Sequence, residues 1–279
     1  MNAAQAYPAP AKLNLLLRVT GRRADGYHLL QTVFRFIDFG DTLRYAVRED
    51  GIIARVNDVP GVPDNEDLTL RAARLLQQAG AVRLGADIAL EKRLPVGGGL
   101  GGGSSDAATT LIVLNRLWGL NWPRARVQEL ALELGADVPV FVFGESALGQ
   151  GIGEKLTSLR LPPAWYLVHV PPVGVATARV FQDPDLIRDS IPTKIPPFSD
   201  VSGINDLEPV VCRLYPVVAQ HLAWLKQFGH ARVTGSGACV FAEFSTEAAA
   251  CAVLGRLPVT MRGVVAQGLA CHPLREMCG

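Results

Sequence analysis

The sequence predicts an α+β protein in two parts, divided near residues 150–165. Three observations carry this. The 279 residues exceed the ~150 typical of one domain. With 49% hydrophobic and 19% charged residues the chain can bury large cores, so a disordered or fibrous protein is excluded. Strand-like and helix-like segments follow one another without the strict alternation of a doubly wound parallel sheet.

Residues 11–20 read as a strand ended by Gly21, and Leu29–Phe39 as a second. Thr42–Val47 and Ile52–Val56 read as a hairpin around Asp50-Gly51. Leu70, Ala73, Leu76 and Ala79 recur at helical spacing, giving a helix over Leu68–Ala79 with Gly80 behind it. Ala86–Leu94 is a strand that runs into a glycine cluster. Ser104 or Ser105 can cap the next helix, whose buried stripe is Ala107, Ala108, Leu111, Leu114 and Leu117-Trp118, with Gly119 as its stop. Trp122-Pro123 opens another helix, terminated at Gly135. Prolines and glycines then punctuate residues 139–153. Trp165–Val170 is a strand ended by Pro171-Pro172, and the proline-rich stretch 182–200 is a loop with at most one short helix. Leu207–Phe228 is helical with an interruption at Pro216. Strands follow at His230–Val233, Ala238–Phe244 and Val264–Cys271, with a helix at Thr246–Leu257. The parts are residues 1–160 and 161–279.

Charge excludes several function classes. Lys plus Arg number 27 and Asp plus Glu 26, so no basic surplus marks a nucleic-acid partner. No apolar run reaches the ~18 residues of a membrane span, and the first residues lack the basic and apolar regions of a secretory signal. The five cysteines, at 212, 239, 251, 271 and 278, are odd in number and never form C-x-x-C, which speaks against zinc or a disulfide framework. A reduced, cytoplasmic protein, monomeric or weakly dimeric, is expected.

Glycine is the outlying count: 28 residues where ~7% usage would give about 20. Six of them, Gly97, Gly98, Gly99, Gly101, Gly102 and Gly103, crowd around Leu100, after Pro95-Val96 and before Ser104-Ser105-Asp106. A turn needs one or two glycines, and each extra one costs roughly 0.5–1 kcal/mol against alanine. Between a strand and a helix, such a run lets successive N–H groups and a helix N-terminus meet an anion, with the Ser104 and Ser105 hydroxyls alongside. A P-loop is excluded because no lysine follows. A G-x-G-x-x-G match at Gly97, Gly99 and Gly102 lacks the acidic residue and second strand of a dinucleotide site, since 117–123 reads Leu-Trp-Gly-Leu-Asn-Trp-Pro.

Pro95 to Ala107 resembles the ATP loop of the GHMP kinases, and two further segments fit that superfamily in the same order. One is Pro10-Ala11-Lys12-Leu13-Asn14-Leu15 with Arg23-Ala24-Asp25-Gly26-Tyr27-His28. The other is Arg232-Val233-Thr234-Gly235-Ser236-Gly237-Ala238-Cys239. Lys-x-Asn together with Asp-Gly-Tyr-His resembles the branch acting on a cytidine-diphosphate-linked methylerythritol. The resemblance implies a two-domain GHMP kinase fold with its site in the interdomain cleft. It also implies transfer of the ATP γ-phosphate, with Mg2+, to the 2-hydroxyl of that small-molecule substrate.

Carried over residue by residue, the resemblance makes Lys12 and Asp137 catalytic and gives Pro95 to Ser105 to ATP. It assigns Asn14, Tyr27, His28, Thr177, Phe181, Gly235 and Ser236 to the substrate. Taken alone, Lys12 reads as a solvated surface group, Asp137 as a helix N-cap after Gly135, His28 as an exposed loop residue and Phe181 as core. Asp106 either caps the helix or acts near magnesium, whose ligands the sequence does not identify. Two positions depart from the family pattern: Gly98 replaces a frequent alanine, and Asp67 stands where asparagine usually precedes the helix near the adenine.

Overall fold

The computed structural model describes residues 5–194 and 203–278; part of the proline-rich loop, 195–202, lies outside the described residues. The backbone of the fold is a pair of long antiparallel strands, β1 (Ala6–Arg22) and β2 (His28–Arg48). The two segments expected at 29–39 and 42–47 are one strand. Gly40 makes this possible: it faces Pro10 across the ladder, and a Cβ there would lie 2.3 Å from the Ala9 carbonyl oxygen. A register shift at Pro10/Ala11 lets the chain pass this point without breaking the sheet.

The expected hairpin at Asp50-Gly51 does not form. β3 (Ile53–Arg55) instead pairs in parallel with β4 (Gly85–Glu91), which lies between β3 and β2. A parallel pair needs a crossover, and α1 (Leu68–Ala79) supplies it. Gly85 lets β4 approach closely, because a Cβ would meet the Ile52 carbonyl oxygen at 2.0 Å. The capping of α1 matches its sequence: Asp67 accepts from the Thr69 N–H and Gly80 closes the helix.

α2 (Gly102–Leu117) starts earlier than a serine cap would place it. Gly101, at φ +73°, is its N-cap, so Ser104 and Ser105 fall inside the first turns. α3 (Arg124–Leu132) follows as expected, and α4 (Val138–Phe143) was hidden by Pro139 and Gly144. A proline at the second position of a helix breaks no hydrogen bond, and Gly144 at φ +77° ends the helix. The hairpin β5 (Ala147–Gln150) and β6 (Lys155–Ser158) joins β2 through β5.

The chain continues through β7 (Trp165–His169), α5 (Thr177–Gln182), α6 (Glu208–Leu214) and α7 (Pro216–Leu225). It ends with β8 (Ala231–Val233), β9 (Val240–Phe244), α8 (Glu247–Leu254) and β10 (Gly263–Leu269). Among the described residues, β1 to β10 form one ten-stranded sheet whose main path is β3-β4-β2-β10-β7-β9-β8. β10 bridges β2 and β7 and so stitches early to late chain. One core packs α1, α2 and α4 on β2 and β4, and a second packs α6 and α7 on β8 and β9. A third, with Leu13, Leu100, Tyr166 and Phe241, draws on both halves.

Candidate active site

The four segments that carry the motifs meet because backbone hydrogen bonds sew them together. The Lys12 N–H of β1 donates to the Leu100 carbonyl in the glycine loop at 2.9 Å. The N–H groups of Val175, Ala238 and Cys239 donate to Gly97 and Gly98 carbonyls at 3.0–3.1 Å. The loop is therefore clamped between β1, the segment before α5 and the turn 234–237. Gly99 lies so close to this turn that a Cβ would be 2.2 Å from the Thr234 carbonyl oxygen. These walls enclose a cleft of about 1130 Å³.

Lys12 sits on the floor, 3% exposed. Its Nζ is 2.6 Å from Asn14 Oδ1 and 3.1 Å from Asp137 Oδ2, so it is not the solvated group its isolated reading suggests. Asn14 is fixed in turn: its Nδ2 donates to Thr32 Oγ1 at 2.8 Å and its N–H to Thr234 Oγ1 at 3.0 Å. Asp137 stands at the N-cap position of α4, but its carboxylate makes no capping bond. It reaches across to Lys12 and remains 39% exposed at the side chain. The arrangement is a buried cation held by an amide oxygen and an accessible carboxylate, with the N-terminus of α2 nearby.

The mouth of the cleft is formed by Tyr27, His28, Thr177 and Phe181. Asp25 builds the turn that presents the first two: its carboxylate accepts from the Tyr27 N–H, and Gly26 takes φ +91°. Tyr27 is 59% exposed, with its ring open to a ligand. The His28 and Phe181 rings lie 5.0 Å apart at 32°, and Thr177 Oγ1 is hydrogen-bonded to Ser236 Oγ at 2.7 Å. Gly235 completes the floor, since a Cβ there would lie 3.2 Å from Asn14 Oδ1.

Every residue expected at the site lines the cleft except Ser105. Ser105 is fully buried and its hydroxyl donates to the Pro10 carbonyl at 2.7 Å. It secures α2 to β1 and faces away from the cavity. The early start of α2 is the reason, because it rotates Ser105 onto the inner side of the helix. Asp67 lines the cleft with its carboxylate engaged by the Thr69 N–H and by Arg55 Nη1, both at 2.8 Å.

Asp106 is a full turn inside α2, which removes the capping alternative. Its Oδ2 pairs with Lys92 Nζ at 2.7 Å, and Lys92 also pairs with Asp41 at 2.6 Å. Burial, opposed by Lys92 and reinforced by the Asp41 charge, raises the Asp106 carboxyl above the ordinary carboxylate range. Among the described residues, Asp106 Oδ1 is buried without a hydrogen-bond partner. Lys92 lines the cleft beside Gly102, whose Cβ would be 3.0 Å from Nζ. Sequence reasoning missed Lys92 because its two partners lie on distant segments; its place just before the glycine loop was the available signal.

Models of known families match two stretches of the chain: "GHMP kinases N terminal domain" over residues 67–145 and "GHMP kinases C terminal" over 197–260. The chain belongs to the GHMP kinases and is a small-molecule kinase. A protein of Nitrosospira multiformis named 4-diphosphocytidyl-2-C-methyl-D-erythritol kinase is 62% identical over 272 residues, covering 96% of this chain and 92% of that protein. One of the same name from Thiobacillus denitrificans is 60% identical, covering 98% of both. The crystal structure of a 4-(cytidine 5'-diphospho)-2C-methyl-D-erythritol kinase superposes with a TM-score of 0.80 at 33% identity, over 95% of this chain and 99% of that one. Its place within the GHMP kinases is thus among the 4-diphosphocytidyl-2-C-methyl-D-erythritol kinases. Among the described residues, no helix is long and apolar enough to cross a membrane.

Proposed function

We propose that the protein transfers the γ-phosphate of ATP to the 2-hydroxyl of 4-diphosphocytidyl-2-C-methyl-D-erythritol, a step of isoprenoid precursor synthesis in the cytoplasm. The names of its close relatives support the substrate. The single structural observation that carries the chemistry is Lys12 Nζ held between Asn14 and Asp137 beneath the glycine loop.

The residues then divide the work. ATP phosphates lie along the backbone N–H groups of Gly97–Gly103 and the N-terminus of α2, with Ser104 at their edge. The cytidylyl group enters by Tyr27, His28, Thr177 and Phe181, with Tyr27 and Phe181 as stacking faces. Asn14, Gly235 and Ser236 hold the polyol end above Lys12. The 2-hydroxyl oxygen bonds to the γ-phosphorus as the bond from that phosphorus to the β–γ bridging oxygen breaks, releasing ADP. Asp137 accepts the hydroxyl proton, and Lys12 stabilises the charge on the transferring group. Positioning and charge stabilisation dominate such transfers, so Asp137 need not remove the proton before attack.

Magnesium fits the residues present. Mg2+ on a nucleotide takes most ligands from phosphates and water and needs only one or two carboxylates. Asp106 Oδ1, buried, unpartnered and on the cleft wall, is such a carboxylate, and Lys92 balances its other oxygen. When bound, the ion neutralises phosphate charge. Phosphorus NMR of the product tests the regiochemistry: one new phosphomonoester coupled to the C2 position is expected, and a phosphate on another carbon would overturn the assigned acceptor.

A further inference from the structure

The His28–Phe181 wall is held by a residue outside it. Arg188 follows α5, and its Nε donates to His28 Nε2 at 3.2 Å. Its Nη2 donates to the Phe181 carbonyl at 3.1 Å and the Asp183 carbonyl at 2.6 Å, and its Nη1 to the Leu186 carbonyl at 3.0 Å. All three nitrogens of the fork are engaged. One planar group thus ties the first residue of β2 to the end of α5, which fixes the separation of the two rings.

The same contact has a chemical effect on the imidazole. A guanidinium only donates, so His28 Nε2 must accept. A neutral imidazole that accepts at Nε2 carries its hydrogen on Nδ1. Burial first, then the charges of Arg188 and Arg22, hold His28 below its ordinary range, in keeping with the neutral ring that this contact requires. Nδ1–H is then the one ring N–H left to His28, a residue that lines the cleft. A donor at this point matches a pyrimidine whose N3 is an acceptor. Cytosine has such an N3; uracil carries a hydrogen there and would set donor against donor.

We propose that Arg188 is a positioning residue: it fixes His28 as an Nδ1–H donor and thereby makes the cleft select cytosine over uracil. This rests on the reading of Tyr27, His28 and Phe181 as the cytidylyl site. The probes are CDP and UDP, with affinities measured by calorimetry on the full chain and the His28 tautomer read from ring nitrogen shifts. The wild type is expected to favour CDP and to show His28 as the Nδ1–H form. Arg188→Ala should weaken CDP about tenfold, the size of one polar contact, and leave UDP nearly unchanged. The KM for the cytidylyl substrate should rise while that for ATP holds. Arg188→Lys, which keeps a cation near the α5 carbonyls but lacks the fork, should also lose selectivity; it carries the test if the alanine variant folds poorly. Equal weakening of CDP and UDP with an unaltered tautomer would show a merely structural arginine and overturn the proposal. A wild type that binds neither nucleotide would overturn the cytidylyl reading itself. Retained CDP selectivity in both variants would sink the Arg188 role alone.

Discussion

Lys12 shows how little an isolated side chain says about its chemistry. Its immediate neighbours allow a surface group; the fold buries it against Asn14 and Asp137. Asp137→Asn and Lys12→Met should each lower kcat by roughly 10²–10⁴, the range of one general-base or charge-stabilising group. ATP affinity should be nearly kept, because the glycine loop, the proposed seat of the phosphates, is untouched. Steady-state kinetics with calorimetric ATP binding checks both halves, and near-normal turnover of the asparagine variant would remove Asp137 from the chemistry. Phe181→Ala should raise the KM for the cytidylyl substrate and spare that for ATP; an unchanged substrate KM would count against the stacking face. Most of these residues were legible through their resemblance to GHMP kinase motifs. The burial of Ser105 against the Pro10 carbonyl is not legible in the sequence, because its direction depends on where α2 begins and a glycine run does not mark that point. Arg188 and Lys92 were not legible, since their partners adjoin only in the folded chain.

The elements that carry the site depend on close backbone approaches, and glycine contacts separate conformation from space. Gly99 and Gly119 share nearly the same φ, +73° and +72°. A Cβ at Gly119 would meet nothing within 4 Å, while at Gly99 it would strike the Thr234 carbonyl oxygen at 2.2 Å. Gly119→Ala should therefore cost only the left-handed penalty of about 1–2 kcal/mol. Gly99→Ala should cost clearly more and weaken ATP binding, because loop and turn must part. Urea denaturation of the two variants decides this; equal losses would mean that the loop does not need its contact with the turn. Helices with regular apolar spacing and clear stops, such as α1, could be read from sequence. The β3–β4 pairing could not, since Asp50-Gly51 carries a hairpin signal and only the crossover by α1 brings β4 between. α4 was masked by Pro139, whose effect depends on its position within the helix.

At the scale of the whole molecule, stability and function depend on different buried groups. His169 is fully buried on β7, neither ring nitrogen hydrogen-bonded among the described residues, and burial lowers it to about 4. His272, packed edge-on against Phe36, is lowered by burial to about 3. Both are more easily protonated in the unfolded chain, at about 6.5. Their contribution is fully present above pH 6.5 and is lost as pH falls toward 4, where unfolding takes up protons. The loss should be on the order of 3 kcal/mol for each. The thermal midpoint should fall steadily from pH 6.5 to 4, with a smaller fall in His169→Gln; a flat profile would refute neutral burial.

That this cleft transfers phosphate from ATP to a cytidylyl-linked polyol is tested most directly by ADP release over a panel of acceptors with Mg-ATP. Turnover is predicted with 4-diphosphocytidyl-2-C-methyl-D-erythritol and not with homoserine or mevalonate. Turnover with either of those, and none with the cytidylyl substrate, would contradict it.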